Sequence, residues 1–260
     1  MTGYGIVGFG RIGRRLAARL PGLHAILVRP EQSDDAAALL GADRVCTALG
    51  AFLARKPAVA IECASPRTLV DIGAVLLQAG IDLVPLSLTA LADPEVERRL
   101  MAAAETGPGR IEIAPGAIGT LDLLATAREG GLRRVIYRQL KSPAMWQLTP
   151  AAALADLPSI RERSVFFKGS VRDVARRLPD NLNTSIGVAL AGLGLDRTEA
   201  ELVADPAISE TAHELEIHAA PGKASLRLGG REVPPDGDPV DYTTFSLMRL
   251  LRRRQARVAI

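Results

Sequence analysis

The stretch Tyr4–Gly13 constrains the fold more than any other part of the chain. A short apolar run leads into a turn with the spacing Gly-x-Gly-x-x-Gly, and helical spacing follows it. In a dinucleotide-binding unit the first glycine makes the turn, the second admits the pyrophosphate, and the third lets helix and strand pack closely. The helix N-terminus favours the phosphate charge. The sequence therefore predicts a dinucleotide site lined by Gly8, Gly10, Arg11, Ile12 and Gly13.

The composition favours an α/β protein without a nucleic-acid role. Of 260 residues, 48% are hydrophobic and 3% aromatic, so the core is aliphatic and base-stacking platforms are scarce. The net charge of +3 includes a basic C-terminal segment, which is more typical of a solvated helix face. Cys46 and Cys63 have neither metal nor disulfide spacing. We expect no metal and no nucleic-acid partner.

The hydropathy pattern indicates neither a membrane span nor a secretory signal. No apolar run approaches the roughly 20 residues that cross a bilayer, and Met1–Gly3 leads directly into the first strand. We therefore expect no membrane association and a cytoplasmic location.

Strand and helix patterns alternate over the first part of the chain and then change. The expected fold is α/β, with an N-terminal Rossmann dinucleotide-binding domain over residues 1–110 that ends near a last strand, Arg110–Ala114. Residues 111–239 contain several strands with few crossover helices, which predicts a second α+β domain with a mostly antiparallel sheet. This would be the substrate domain. The helix within residues 240–260 is expected to pack back on the first domain.

Two positions bear on the choice of cofactor. Where folds specific for NAD usually have an acid, about 20 residues beyond the glycines, this chain has Arg29. Together with Arg11 it can bind a 2′-phosphate, so NAD or NADP is expected, although Arg29 as a solvated cation remains open. The small residues Ala64 and Ser65, at the end of a buried strand, leave room for ribose and nicotinamide.

A series of short blocks resembles the L-aspartate dehydrogenase family over nearly the whole chain. Their order and spacing are more specific than any single block. The blocks are Glu62-Cys63-Ala64-Ser65-Pro66, residues 86–94, Pro115-Gly116-Ala117-Ile118-Gly119-Thr120-Leu121-Asp122, residues 178–183, Ala191-Gly192-Leu193-Gly194, Ala204-Asp205-Pro206 and residues 211–217.

The resemblance implies an NAD(P)-dependent dehydrogenase that acts on L-aspartate or a close amino acid. We also expect a homodimer. The resemblance further implies that Ala117 and Asn183 contact the cofactor and that His213, just before a strand, is the active-site histidine. An imidazole suits proton transfer near neutral pH. The sequence departs from the family at Thr211, where asparagine is usual, and at residues 238–242, where an Asn-Pro-Lys-Thr-Ser stretch is replaced.

Substrate carboxylates need cationic partners, and Lys141, after a strand, is the best candidate, with Lys168 a weaker one. Two other functions stay open at this point. Cys63 beside a nicotinamide is the arrangement of a semialdehyde-type oxidoreductase that works through a thiohemiacetal. The departures at positions 211 and 238–242 leave room for a dinucleotide-binding sensor without turnover.

Overall fold

The computed structural model describes residues 3–178, 182–230 and 242–258. They form two compact units, one comprising the chain up to Ala114 together with residues from Thr244 onward, and the other Pro115–Thr243. Most of the altered 238–242 stretch, residues 238–241, lies outside the described residues.

The first unit contains a parallel sheet with strand order β3-β2-β1-β4-β5. Its strands are β1 (Tyr4–Val7), β2 (Leu23–Leu27), β3 (Val45–Cys46), β4 (Val59–Glu62) and β5 (Asp82–Pro85). Its helices are α1 (Arg11–Arg19), α2 (Ser33–Leu40), α3 (Leu49–Ala54), α4 (Pro66–Gln78), α5 (Pro94–Thr106) and, near the C-terminus, α10 (Tyr242–Arg253). This arrangement confirms the predicted Rossmann fold.

Local chemistry sets the helix starts, and aliphatic burial holds the layers together. Asp93 caps α5 by accepting a hydrogen bond from the Glu95 N–H at 2.9 Å, with Pro94 in the first turn. Leu247 and Leu251 of α10 are buried in the same core cluster as Ile6, so this helix packs on the first unit. Each such side chain contributes about 1.5–3 kcal/mol of transfer free energy.

The prediction of a strand over Arg110–Ala114 is wrong in extent. The structure has a single parallel bridge there, between Leu83 and Ile111. The Leu83 N–H donates to the Arg110 carbonyl, and the Glu112 N–H donates to the Leu83 carbonyl. The segment therefore lies beside β5 for one residue and then continues as irregular chain to Ala114.

The second unit contains a sheet with strand order β10-β9-β6-β8-β7. Its strands are β6 (Leu132–Lys141), β7 (Ser164–Ser170), β8 (Glu199–Ala204), β9 (Ala212–Ala219) and β10 (Gly222–Gly229). Its helices are α6 (Leu121–Glu129), α7 (Pro143–Gln147), α8 (Val171–Arg177) and α9 (Asn183–Ala191). Only β6 and β8 pair in parallel among these neighbours, which confirms the mostly antiparallel sheet.

The two faces of this sheet differ in chemistry because side chains alternate along each strand. One face carries ion pairs between strands, such as Arg134 with Glu199 at 2.5 Å and Arg138 with Glu201 at 2.5 Å. Along β6, Tyr137, Gln139 and Lys141 belong to the opposite face. That second face carries the candidate chemistry.

Candidate active site

The glycine turn of the first unit has the geometry expected for a dinucleotide. Gly8 has a φ of 104°, a left-handed conformation that favours glycine, and a Cβ there would lie 2.9 Å from Ala64. A Cβ on Gly13 would lie 2.3 Å from the Gly8 carbonyl oxygen, so helix and strand meet at a distance that excludes a side chain. Packing inside the protein therefore requires glycine at both positions.

Gly10 differs from its neighbours because a Cβ there would meet nothing within 4 Å. This residue is the N-cap of α1 and provides no side-chain cap, so it leaves the N-terminal amides of the helix uncapped by a side chain. Open space beside uncapped helix amides fits a pyrophosphate. Arg11 and Ile12 form the first helical turn, and their cofactor contacts stay predictions.

The strand end beside this turn is held by a buried carboxylate. Glu62 is fully buried and accepts hydrogen bonds from the N–H groups of Ala64 (2.8 Å) and Ser65 (3.1 Å) and from the N–H and hydroxyl of Ser87. Burial raises the pKa of Glu62, and these hydrogen bonds act against the rise. The Ser65 hydroxyl in turn caps α4. Ala64 and Ser65 are thereby fixed at the carboxyl edge of the sheet.

Cys63 has the environment of a packing residue. Its Sγ lies 3.4 Å from the Val7 carbonyl oxygen and 3.8 Å from that of Gly8, where the thiol donates. Burial, and then the charge of Glu62, raises the pKa of Cys63. Since the thiolate is the nucleophile, such a thiol is poorly suited to attack an aldehyde. The geometry gives the semialdehyde hypothesis no support.

In the second unit, His213 lies within β9, rather than before a strand as the sequence suggested. Its Nδ1 is 2.7 Å from the hydroxyl of Tyr137, a fully buried residue of β6 whose pKa is raised by burial. Burial, and secondarily the charge of Lys141, lowers the pKa of His213 to about 4. The imidazole is therefore neutral near pH 7, and its Nδ1 is engaged by the Tyr137 hydroxyl.

Lys141 ends β6 on the same face and is only 8% exposed. Its Nζ lies 4.8 Å from the ring centre of Trp146, whose indole N–H donates to the Val203 carbonyl at 2.8 Å. Burial lowers the pKa of Lys141. Within the described residues no carboxylate forms an ion pair with it or shifts its pKa, whereas buried charges are normally paired. Lys141 is thus a buried cation suited to an incoming carboxylate.

The remaining predicted residues are placed as follows. Ala117 lies in the turn before α6 and Asn183 begins α9, both in the second unit, and their cofactor contacts stay predictions. Lys168 pairs with Glu199 and Glu201, so its charge is already neutralised. Tyr137 was missed by the sequence analysis. No group of three potential metal ligands occurs among residues 3–178, 182–230 and 242–258.

Comparison with known proteins identifies the family. The family model described as aspartate dehydrogenase, C-terminal, matches residues 122–254, and that of the homoserine dehydrogenase NAD-binding domain matches residues 8–114. The L-aspartate dehydrogenase of Cupriavidus necator is 37% identical, with 98% of each chain covered. The chain belongs to the L-aspartate dehydrogenase family. It is accordingly an NAD(P)-dependent amino-acid dehydrogenase.

Further comparisons agree with this membership. The L-aspartate dehydrogenase of Ralstonia pickettii is 40% identical over 77% of this chain and 75% of its own length. The crystal structure of aspartate dehydrogenase from Thermotoga maritima shares the fold, with a TM-score of 0.80 over 100% of this chain and 99% of that one, at 23% identity. In the part of the chain that the structure describes, no helix is both long and apolar enough to span a membrane.

Arg29 allows a prediction about the cofactor of this family member. The residue follows β2, and its guanidinium pairs at 3.2 Å with Glu31, both side chains being largely exposed. Such a surface ion pair contributes little to the stability of the fold, so the Arg29 guanidinium can readily exchange Glu31 for a 2′-phosphate. We expect NADPH to bind at most about tenfold more weakly than NADH, a margin of about 1.4 kcal/mol. Arg29→Ser should weaken NADPH alone, by about tenfold.

Titration by nicotinamide fluorescence measures both affinities. Arg55→Ser, at an exposed arginine beyond α3, is the matched control and should change neither. A strong preference of the wild-type protein for NADH, unaffected by Arg29→Ser, would remove the phosphate-binding role from this residue.

Proposed function

We propose that the protein oxidatively deaminates L-aspartate with NAD(P)⁺, giving oxaloacetate, ammonium and NAD(P)H by way of iminosuccinate, or catalyses the reverse amination. The observation that carries the proposal is that two groups lie on one face of one sheet. They are the neutral imidazole of His213, anchored by Tyr137, and the buried cation of Lys141. The first can take a proton from an amine and the second can hold a carboxylate. Oxidation of an amino acid requires both.

The roles of the two residues follow from their contacts. In the tautomer whose Nδ1–H donates to the Tyr137 oxygen, 2.7 Å away, Nε2 of His213 presents a lone pair that can accept a proton from the substrate ammonium. When bound, the nicotinamide cofactor would supply the acceptor for the hydride that leaves Cα. The two electrons of the Cα–H bond depart with that hydride, the nitrogen lone pair forms the C=N bond, and water then hydrolyses the imine.

Lys141 supplies the complementary charge. Its ammonium is held over the Trp146 ring, whose orientation is fixed by the hydrogen bond to Val203. A carboxylate of L-aspartate that pairs with Nζ is drawn to the sheet edge and neutralises the buried cation. Because Lys141 is also one cause of the low pKa of His213, this neutralisation makes the imidazole a stronger base once substrate is bound.

The proposal is tested by amino-acid-dependent reduction of NAD⁺ and NADP⁺, followed at 340 nm. L-Aspartate should support turnover, with oxaloacetate and ammonium formed in equal amounts to NAD(P)H, while D-aspartate and L-aspartate semialdehyde should not. A protein that binds the cofactor but oxidises none of a panel of L-amino acids would contradict the proposal and favour a dinucleotide sensor.

The proposal extends to a homodimer that works in the cytoplasm, where NAD(P) pools and free thiols such as Cys46 and Cys63 coexist. Exposed apolar residues of α10, Tyr242 and Phe245, support association of two copies. Sedimentation equilibrium should give twice the mass of 27.5 kDa, and a monomer across the micromolar range would rule the dimer out.

A further inference from the structure

Gln139 occupies the position directly beside the proposed base. It lies on β6 between Tyr137 and Lys141, on the same face as both. Across the antiparallel pair its register partner is His213 itself. Residues opposite one another in such a pair have Cβ atoms about 4.5–5.5 Å apart. The Gln139 side chain is therefore adjacent to the imidazole.

The amide of Gln139 is buried with its acceptor unused. The residue is 4% exposed, and its Oε1 has no hydrogen-bond partner among the described residues. Buried side-chain oxygens are nearly always hydrogen-bonded, and each exception calls for an explanation. On this face the neighbouring polar side chains have partners, Tyr137 on His213 and Lys141 over Trp146. An unpaired acceptor beside a proton acceptor points to a ligand with more than one N–H group.

We propose that Gln139 is a specificity-determining residue whose Oε1 accepts a hydrogen bond from the substrate α-amino group, so that the site selects amines over alcohols. The inference rests on the proposed function. A substrate ammonium has three N–H bonds, so it can give one proton to His213 Nε2 and a second hydrogen bond to Gln139. The hydroxyl of a 2-hydroxy acid has one hydrogen and satisfies only one of the two acceptors. Sites built to bind a donor reject analogues that lack it, because a buried polar group is then left unpaired.

The test compares L-aspartate with L-malate, which differs in carrying a hydroxyl in place of the amine. Gln139→Met keeps the length of the side chain and removes the acceptor. The variant should lose about 10- to 100-fold in kcat/KM for L-aspartate, as expected for one hydrogen bond to a charged group. Its inhibition constant for L-malate, measured against L-aspartate, should be unchanged or lower. The matched control is Gln147→Met, at an exposed glutamine of α7, which should leave both constants at wild-type values.

Thermal unfolding separates this role from a structural one. Removal of an unpaired buried oxygen should leave Tm unchanged or raised, whereas a structural glutamine would lower it. If Gln139→Met does not fold, Gln139→Asn, which withdraws the amide by one methylene group, should show a smaller loss in the same direction. A folded variant that still discriminates between L-aspartate and L-malate as strongly as the wild-type protein does would overturn this inference and leave the proposed function standing. Absence of L-aspartate oxidation by the wild-type protein would overturn the proposed function, and the inference with it.

Discussion

Replacement of His213 by asparagine is expected to lower kcat/KM for L-aspartate by about 10²–10⁴-fold, equivalent to about 3–5 kcal/mol of transition-state stabilisation. The asparagine amide lies where Nδ1 lies in histidine, so the variant can keep the hydrogen bond to Tyr137, which is 2.7 Å long in the wild-type protein. What it loses is Nε2, the proposed proton acceptor. The affinity for NAD(P)H should change little, because the imidazole acts on the substrate.

His218→Asn is the matched control for this variant. His218 lies on the same strand, but its Nε2 is engaged with Glu216 at 2.6 Å, on the charged face of the sheet. Steady-state kinetics should give wild-type values for this control. Equal activity of His213→Asn and the wild-type protein would assign His213 a structural role and leave the proposed reaction without a base.

The low pKa of His213 also has a consequence for pH dependence. In the unfolded chain a histidine titrates near 6.5, whereas in the fold the pKa is about 4. Below pH 6.5 the unfolded state therefore binds more protons, so the free energy of unfolding falls as the pH drops from about 6.5 to about 4. His213→Asn should remove that part of the slope. For the free enzyme, the acid limb of kcat/KM should lie near pH 4.

The sequence predicts the first unit more completely than the second. The glycine spacing, followed by helical spacing, is a local signal that identifies a Rossmann unit, because the three glycines and the start of α1 lie within a few residues of one another. β7 (Ser164–Ser170) was not predicted, since its register shifts between Val165 and Phe167 and its burial does not alternate. A bulge of this kind removes the period of two on which strand prediction depends.

The candidate site shows the same division. The surrounding motif pointed to His213, and the end of a strand pointed to Lys141, both of which are local features. Tyr137 and Gln139 meet His213 only through the register of β6 against β9, across more than 70 residues of chain, which no local pattern specifies. The available signal was alternation along β6, which places positions 137, 139 and 141 on one face. Combined with the prediction of His213, this alternation would have indicated that Tyr137, Gln139 and Lys141 belong to the same site.

Replacement of Lys141 by methionine is expected to raise KM for L-aspartate by about 30- to 1000-fold, with a smaller effect on kcat. Loss of one partner of a buried charge pair costs about 2–4 kcal/mol, which corresponds to this range. Methionine has a similar length and packs well against an aromatic ring, so the contact with Trp146, 4.8 Å from Nζ to the ring centre, is retained in apolar form. Lys168→Met is the matched control, because that lysine is already paired with Glu199 and Glu201, and it should leave KM unchanged.

A second readout of Lys141→Met does not depend on turnover. Since burial and the charge of Lys141 together lower the pKa of His213, removal of the charge leaves burial alone. The His213 pKa, followed by the NMR shift of its ring Cε1–H, should therefore rise from about 4 towards its ordinary value without reaching it. A raised KM with an unmoved His213 pKa would place Lys141 too far from the imidazole to act on the same substrate. An unchanged KM would mean that the carboxylates of L-aspartate are bound elsewhere.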